Sequence, residues 1–199
     1  MRDSASMIVV LTVIALVMGS ILSFLKNALD EPIEYARLKF VKGPAVMAVF
    51  SGYDNDPLKD VQKGVPLKQP AGPEVLKSLF PARKDGKCFA VAFEVTGKGY
   101  GGLISVMMGI DLSTGHLTGI RVMTHSETPG LGARATESPF YEQFTNLAPK
   151  DVALASKGGR INAISGATNT SKGVVEAVKE GLELFARSKD KITSAVGPM

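Results

Sequence analysis

The run from Met7 to Leu25 holds no charged residue, and only Thr12, Gly19, Ser20 and Ser23 interrupt it with mild polarity. Rising about 1.5 Å per residue, a helix of this run spans roughly the ~30 Å hydrocarbon core of a bilayer. The competing reading is a cleaved signal peptide. The run is longer than a usual apolar signal region and lacks a clear small-x-small cleavage site, so a retained anchor is expected. Charge counting would put the C-terminal flank in the cytoplasm, because Lys26, Arg37, Lys39 and Lys42 follow the run while Arg2 before it is offset by Asp3. The same basic residues suit contact with anionic membrane lipid.

What remains of the 199 residues leaves room for one globular domain of roughly 150 residues. The division expected is an anchor over 1–29, a tether and first-strand region over 30–72, and a folded domain over 73–199. Cys88 is the single cysteine, so no internal disulfide forms, and with only His116 and His125 as histidines no metal cluster is expected. Trp is absent and the basic residues are scattered, which argues against a nucleic-acid groove. A cofactor in such a chain is expected to be organic.

Within the soluble part, Ala45 to Phe50 reads as a first strand, and a short helix is expected after Pro73 with Val75, Leu76 and Leu79 on one face. Lys87 to Thr96 then alternates with period two, and Leu103 to Ile110 and Leu117 to Thr124 repeat that character across the turn Asp111 to Gly115. Gly97-Lys98-Gly99-Tyr100-Gly101-Gly102 matches a dinucleotide-binding spacing, but a strand rather than a helix follows it. A glycine-rich hairpin is therefore expected, with its bare backbone and Tyr100 available to a ligand. Ser138-Pro139 opens a helix carrying Phe140, Phe144 and Leu147, and Thr170 to Arg187 carries Val174, Val178, Leu182 and Phe185 at helical spacing. The expected fold class is α+β: an antiparallel sheet meander with packed helices, preceded by one N-terminal transmembrane helix.

Two segments carry candidate chemistry. Ser165-Gly166-Ala167-Thr168-Asn169-Thr170 presents a hydroxyl on a small-residue turn where a helix begins. Alone, such a cluster is most simply an N-cap. Its lack of bulk also suits entry of Thr168 into another enzyme's cleft for attack on a nucleotide pyrophosphate. The other segment is His125-Ser126-Glu127-Thr128-Pro129-Gly130-Leu131-Gly132, where Thr-Pro-Gly breaks a strand. Gly130 and Gly132 let backbone amides approach a planar ligand, and Leu131 offers an apolar face. His125 and Glu127 do not make an acid/base pair with any third group, and no Ser/His/Asp set, paired carboxylates or phosphate loop is present, so an independent hydrolase is not expected.

Together with the anchor, His-Ser-Glu-Thr-Pro-Gly-Leu-Gly and Ser-Gly-Ala-Thr resemble the G subunits of the Rnf electron-transport complex, relatives of the C subunits of the sodium-translocating NADH:quinone reductase. The resemblance runs from the anchor to the last helix. It implies FMN joined by a phosphoester to Thr168, put there by a flavin transferase. Ser165, Gly166, Ala167, Thr170, the loop His125 and Glu127 to Gly132, Lys157 and Tyr100 would lie around the cofactor. It also implies a redox-active subunit rather than a stand-alone enzyme, with other complex subunits as partners and electrons relayed between ferredoxin and NAD. The domain would be extracytoplasmic, against the charge count. In this pattern an aspartate usually stands three residues before the serine, where this chain has Asn162. The rival readings are a C-type quinone-reductase subunit, an anchored flavin sensor, for which no sensory domain is visible, and a free-standing membrane reductase, for which no donor site is visible.

Overall fold

The computed structural model describes residues 2–69 and 72–197, with side chains from residue 6 onward. It divides into two compact units, Met1–Phe40 and Val41–Met199. The first unit is the helix α1 (Arg2–Arg37), long and apolar enough to cross a membrane. Within it the hydroxyls of Thr12 and Ser20 donate to the carbonyls of Ile8 and Leu16, each at 2.8 Å, so the polarity of these two is met inside the helix rather than shown to lipid. The helix runs on through residues 30–37, the start of the segment expected to be a tether.

In the second unit five strands form one antiparallel meander in chain order: β1 (Gln62–Leu67), β2 (Val75–Lys84), β3 (Lys87–Lys98), β4 (Leu103–Asp111) and β5 (Leu117–Thr124). The last three are the strands expected from the sequence, joined by the expected glycine hairpin and the Asp111 turn. Two expectations fail here. Ala45 to Phe50 is not a strand but lies in and just after the helix α2 (Gly43–Val49), with Pro44 in its first turn and Ala45, Val46 and Val49 buried. A run this short carries both periods, and the proline at the helix start decides it. The segment after Pro73 is the strand β2 rather than a helix, and it contains Pro81, whose ring a helix interior would not accept. Leu79 and Phe80 point to opposite faces and both are buried, which requires cover on both sides of the sheet. Beside Pro81 the Asn55 side chain stands in for a neighbouring strand: it donates to the Pro81 carbonyl at 3.0 Å and accepts the Arg83 N–H at 2.8 Å.

The cover on one face is α2, against β4 and β5. On the other lies α4 (Thr168–Arg187), against β3 and β4, followed by α5 (Lys189–Val196) beside β1. Between β5 and α4 the chain makes only short turns of helix, α3 (Ser138–Tyr141) continuing into a 3-10 turn, Glu142–Phe144, whose Phe140 and Phe144 rings meet edge to face at 5.6 Å in the core. The approach of α4 is set by glycines. A Cβ on Gly173 would strike the Lys98 carbonyl, and one on Gly97 would strike the Gly173 carbonyl, so helix and strand touch backbone to backbone. This contact holds the first turn of α4 beside the hairpin at Gly97 to Gly102.

Cys88 belongs to the core at 1% exposure, and burial pushes its thiol pKa up. The native protein is expected to resist a thiol-reactive dye at pH 7.5 and to react fully once unfolded. Rapid stoichiometric labelling of the folded chain would contradict this placement.

Candidate functional site

Thr168 is the first residue of α4 and is solvent-exposed. The turn before it is built from small residues for a local reason. Gly166 adopts φ +77°, a left-handed conformation that favours glycine, and a Cβ there would sit 3.1 Å from Leu131 Cδ2. Behind the turn the buried Ser171 hydroxyl accepts the Ile164 N–H at 2.9 Å and donates to the Ala167 carbonyl at 3.0 Å. Those two bonds tie residues 164–167 to the helix they precede. Ala167, at the N-cap, provides no side-chain acceptor, which leaves the first-turn amides of α4 open to an outside anion.

Thr168 stands at the edge of a cleft of about 490 Å³ lined by Tyr100, Glu127, Thr128, Leu131, Gly132, Gly166, Ala167, Thr168, Asn169 and Thr170. Three separate segments meet there: the hairpin between β3 and β4, the loop that follows β5, and the start of α4. Tyr100 and Leu131 present apolar faces and are both exposed, at 76% and 46%. Glu127 is 6% exposed and joins the segments beneath them, accepting the Gly101 N–H on Oε1 at 2.9 Å and the Thr170 hydroxyl on Oε2.

The remaining candidates from the sequence lie outside the lining. His125 is half-buried, and its Nδ1 accepts the Glu127 N–H at 3.2 Å, so it shapes the loop beneath the cleft. Pro129 and Gly130 form the exposed tip of that loop, Gly130 with φ +74°. Ser165 faces a separate pocket of about 180 Å³ with Asn162, Gln143 and Arg134. Lys157 is exposed at the end of the short 3-10 turn Ala155–Lys157. Asn169 lines the cleft although no sequence argument singled it out. The available signal was its place as the second residue of a helix whose first residue was already a candidate.

Residues 99–183 match the model of the FMN-binding domain family, a segment that contains every lining residue. Among curated proteins, the chain is 33% identical over 153 residues to the G subunit of the ion-translocating oxidoreductase complex of Cereibacter sphaeroides, covering 73% of this chain and 67% of that protein. To the corresponding G subunit of Stutzerimonas stutzeri it is 36% identical over 142 residues, covering 68% of this chain and 60% of that protein. Each match thus spans about two thirds of the relative's length or somewhat less. Among solved structures, NqrC of Shewanella oneidensis superposes with a TM-score of 0.52 at 21% identity, covering 71% of this chain and 75% of that one, which is a likeness of fold. The chain belongs to the family of ion-translocating oxidoreductase complex G subunits, and its folded part contains an FMN-binding domain.

Proposed function

We propose that this chain is a membrane-anchored electron carrier that holds FMN in the Thr168 cleft, through a phosphoester to the Thr168 oxygen, within an ion-translocating ferredoxin:NAD oxidoreductase complex. The observation that carries the reading is that one cleft combines an exposed hydroxyl, the uncapped start of a twenty-residue helix and two apolar walls. The residues fit the group. A volume of about 490 Å³ lies within the ~300–1,000 Å³ of small-molecule sites. The open amides and dipole of α4 favour the phosphate anion beside Thr168. Tyr100 and Leu131 would flank a planar apolar body, and Thr128 and Asn169 offer polar atoms at its edges.

When bound, FMN supplies one- and two-electron chemistry, and the protein's task is to fix its position. Attachment is assigned to a flavin transferase, with Thr168 displacing the nucleotide half of a flavin dinucleotide and its hydroxyl proton leaving to base. Gly166 and Ala167 keep bulk away from that oxygen. The test is to produce the full chain with such a transferase. Flavin fluorescence should then stay with the protein band after denaturation, and the intact mass should rise by one FMN less one water. Flavin that is released on denaturation would remove the covalent assignment.

The other subunits of the complex and membrane lipid around α1 are the partners this reading requires, and the folded domain is assigned to the extracytoplasmic side. Protease added to intact spheroplasts is then expected to digest the domain while cytoplasmic controls survive. Digestion only after lysis would restore the orientation that the basic flank at Lys26, Arg37, Lys39 and Lys42 suggests.

A further inference from the structure

The three segments that build the cleft are joined at one carboxylate. Glu127 Oε1 accepts the Gly101 N–H at 2.9 Å, next to Tyr100, and Oε2 accepts the hydroxyl of Thr170, two residues beyond Thr168. Glu127 itself begins the loop that carries Leu131. The surrounding chain is shaped to this carboxylate. A Cβ on Gly99 would strike Oε1, and a Cβ on Gly132 would strike both Oε2 and the Thr170 hydroxyl. A Cβ on Gly101 would strike the Ser126 carbonyl. Thr170 is 1% exposed, so its hydroxyl has no water to turn to if the carboxylate is lost.

We infer that Glu127 is a positioning residue. By bonding the hairpin and the first turn of α4 to its own loop, it sets how far apart Tyr100, Leu131 and Thr168 stand. The inference rests on the reading of this cleft as the flavin site, but its first consequence does not need flavin. Each carboxylate oxygen accepts from a protein donor, and through those two bonds the side chain holds the walls that a ligand would meet. Its reach matters more than its charge. A glutamine has the same reach: its carbonyl oxygen can accept from Gly101, and its NH2 can donate to the Thr170 oxygen, which is an acceptor as well as a donor.

The experiment uses the full-length chain in detergent, first without flavin. Hydrogen exchange at the Gly101 amide is expected to speed up on the order of 10- to 100-fold in Glu127→Ala, as befits loss of a part-buried bond to a charged acceptor. In Glu127→Gln it should stay within about threefold of the parent. Thr170→Val, which cuts one bond and leaves Glu127 in place, gives a second route if the alanine variant fails to fold: Gly101 exchange should rise, by less than in Glu127→Ala.

In the flavin-loaded protein, fluorescence anisotropy and visible circular dichroism of the ring should fall in Glu127→Ala and persist in Glu127→Gln. Parent-like Gly101 exchange in Glu127→Ala or Thr170→Val would overturn the proposal, as would a glutamine variant as damaged as the alanine one. Faster Gly101 exchange with an unaltered flavin signal would uphold the clamp and count against flavin in this cleft.

Discussion

Thr168→Val is expected to abolish covalent flavin while leaving the domain folded. Valine keeps the β-branched shape and lacks only the oxygen that would carry the phosphoester. Thr168 is exposed, its hydroxyl makes no hydrogen bond among the described residues, and the N-cap residue Ala167 makes no side-chain capping bond, so the folding cost is about 0.5 kcal/mol or less. The effect on flavin is all or none. A protein made with the transferase should lose its in-gel fluorescence and its added mass, yet unfold within about 2 °C of the parent. Retained covalent flavin in the valine variant would move the attachment to another hydroxyl, with Thr170, Ser165 and Ser171 as the neighbours to examine.

Gly173→Ala is expected to destabilise the domain although alanine is the better helix former. In an exposed helix the exchange would gain about 1 kcal/mol. Here the new methyl would meet the Lys98 carbonyl and the Gly99 nitrogen, which are backbone and cannot swing aside. Pushing α4 off β3 costs on the order of 3 kcal/mol or more, so the net loss is about 2 kcal/mol, a fall in Tm of roughly 4–8 °C. Gly181→Ala is the comparison. Its methyl meets mainly Met108, a flexible side chain, together with Val95, and the loss should be smaller. Thermal unfolding followed by circular dichroism checks the order. Equal midpoints for parent and Gly173→Ala would mean that α4 does not rest on β3 in this way, and the placement of Thr168 beside the hairpin would lose its support.

The parts of the fold that were legible from sequence are those with long apolar patterns. Phe89, Val91, Phe93 and Val95 recur at every second place in β3, β4 is apolar and buried along most of its length, and α4 keeps one apolar stripe from Val174 to Phe185. α2 and β2 were misread because six apolar residues in a row from Ala45 to Phe50 fit either period, and three apolar residues at Val75, Leu76 and Leu79 are too few to fix one. The prolines at 44 and 81, the one in a first helical turn and the other inside a strand, carried the information that periodicity did not. The cleft was half legible. Thr168, Gly166 and Ala167 adjoin in the chain, as do Glu127, Thr128, Leu131 and Gly132, and the two groups do line one cavity. What the sequence could not convey is that Glu127 is turned inward to Gly101 and Thr170, 26 and 43 positions away. A carboxylate beside a glycine loop looks the same in sequence whether it faces a ligand or its own backbone. Lys157, which the resemblance put near the cofactor, stands exposed on a turn outside the lining.

The central claim is that the oxygen of Thr168 carries FMN, and locating the modified atom tests it most directly. Trypsin should release residues 161–172, bounded by Arg160 and Lys172, from the full chain produced with a flavin transferase. This peptide holds four hydroxyls, at Ser165, Thr168, Thr170 and Ser171, so its mass alone does not decide the matter, whereas electron-transfer fragmentation assigns the added group to one residue. The account predicts the added FMN on fragments that include Thr168, with fragments ending at Ala167 and those beginning at Asn169 unmodified. Flavin found on Thr170 or Ser165, or on no residue of this peptide, would contradict it.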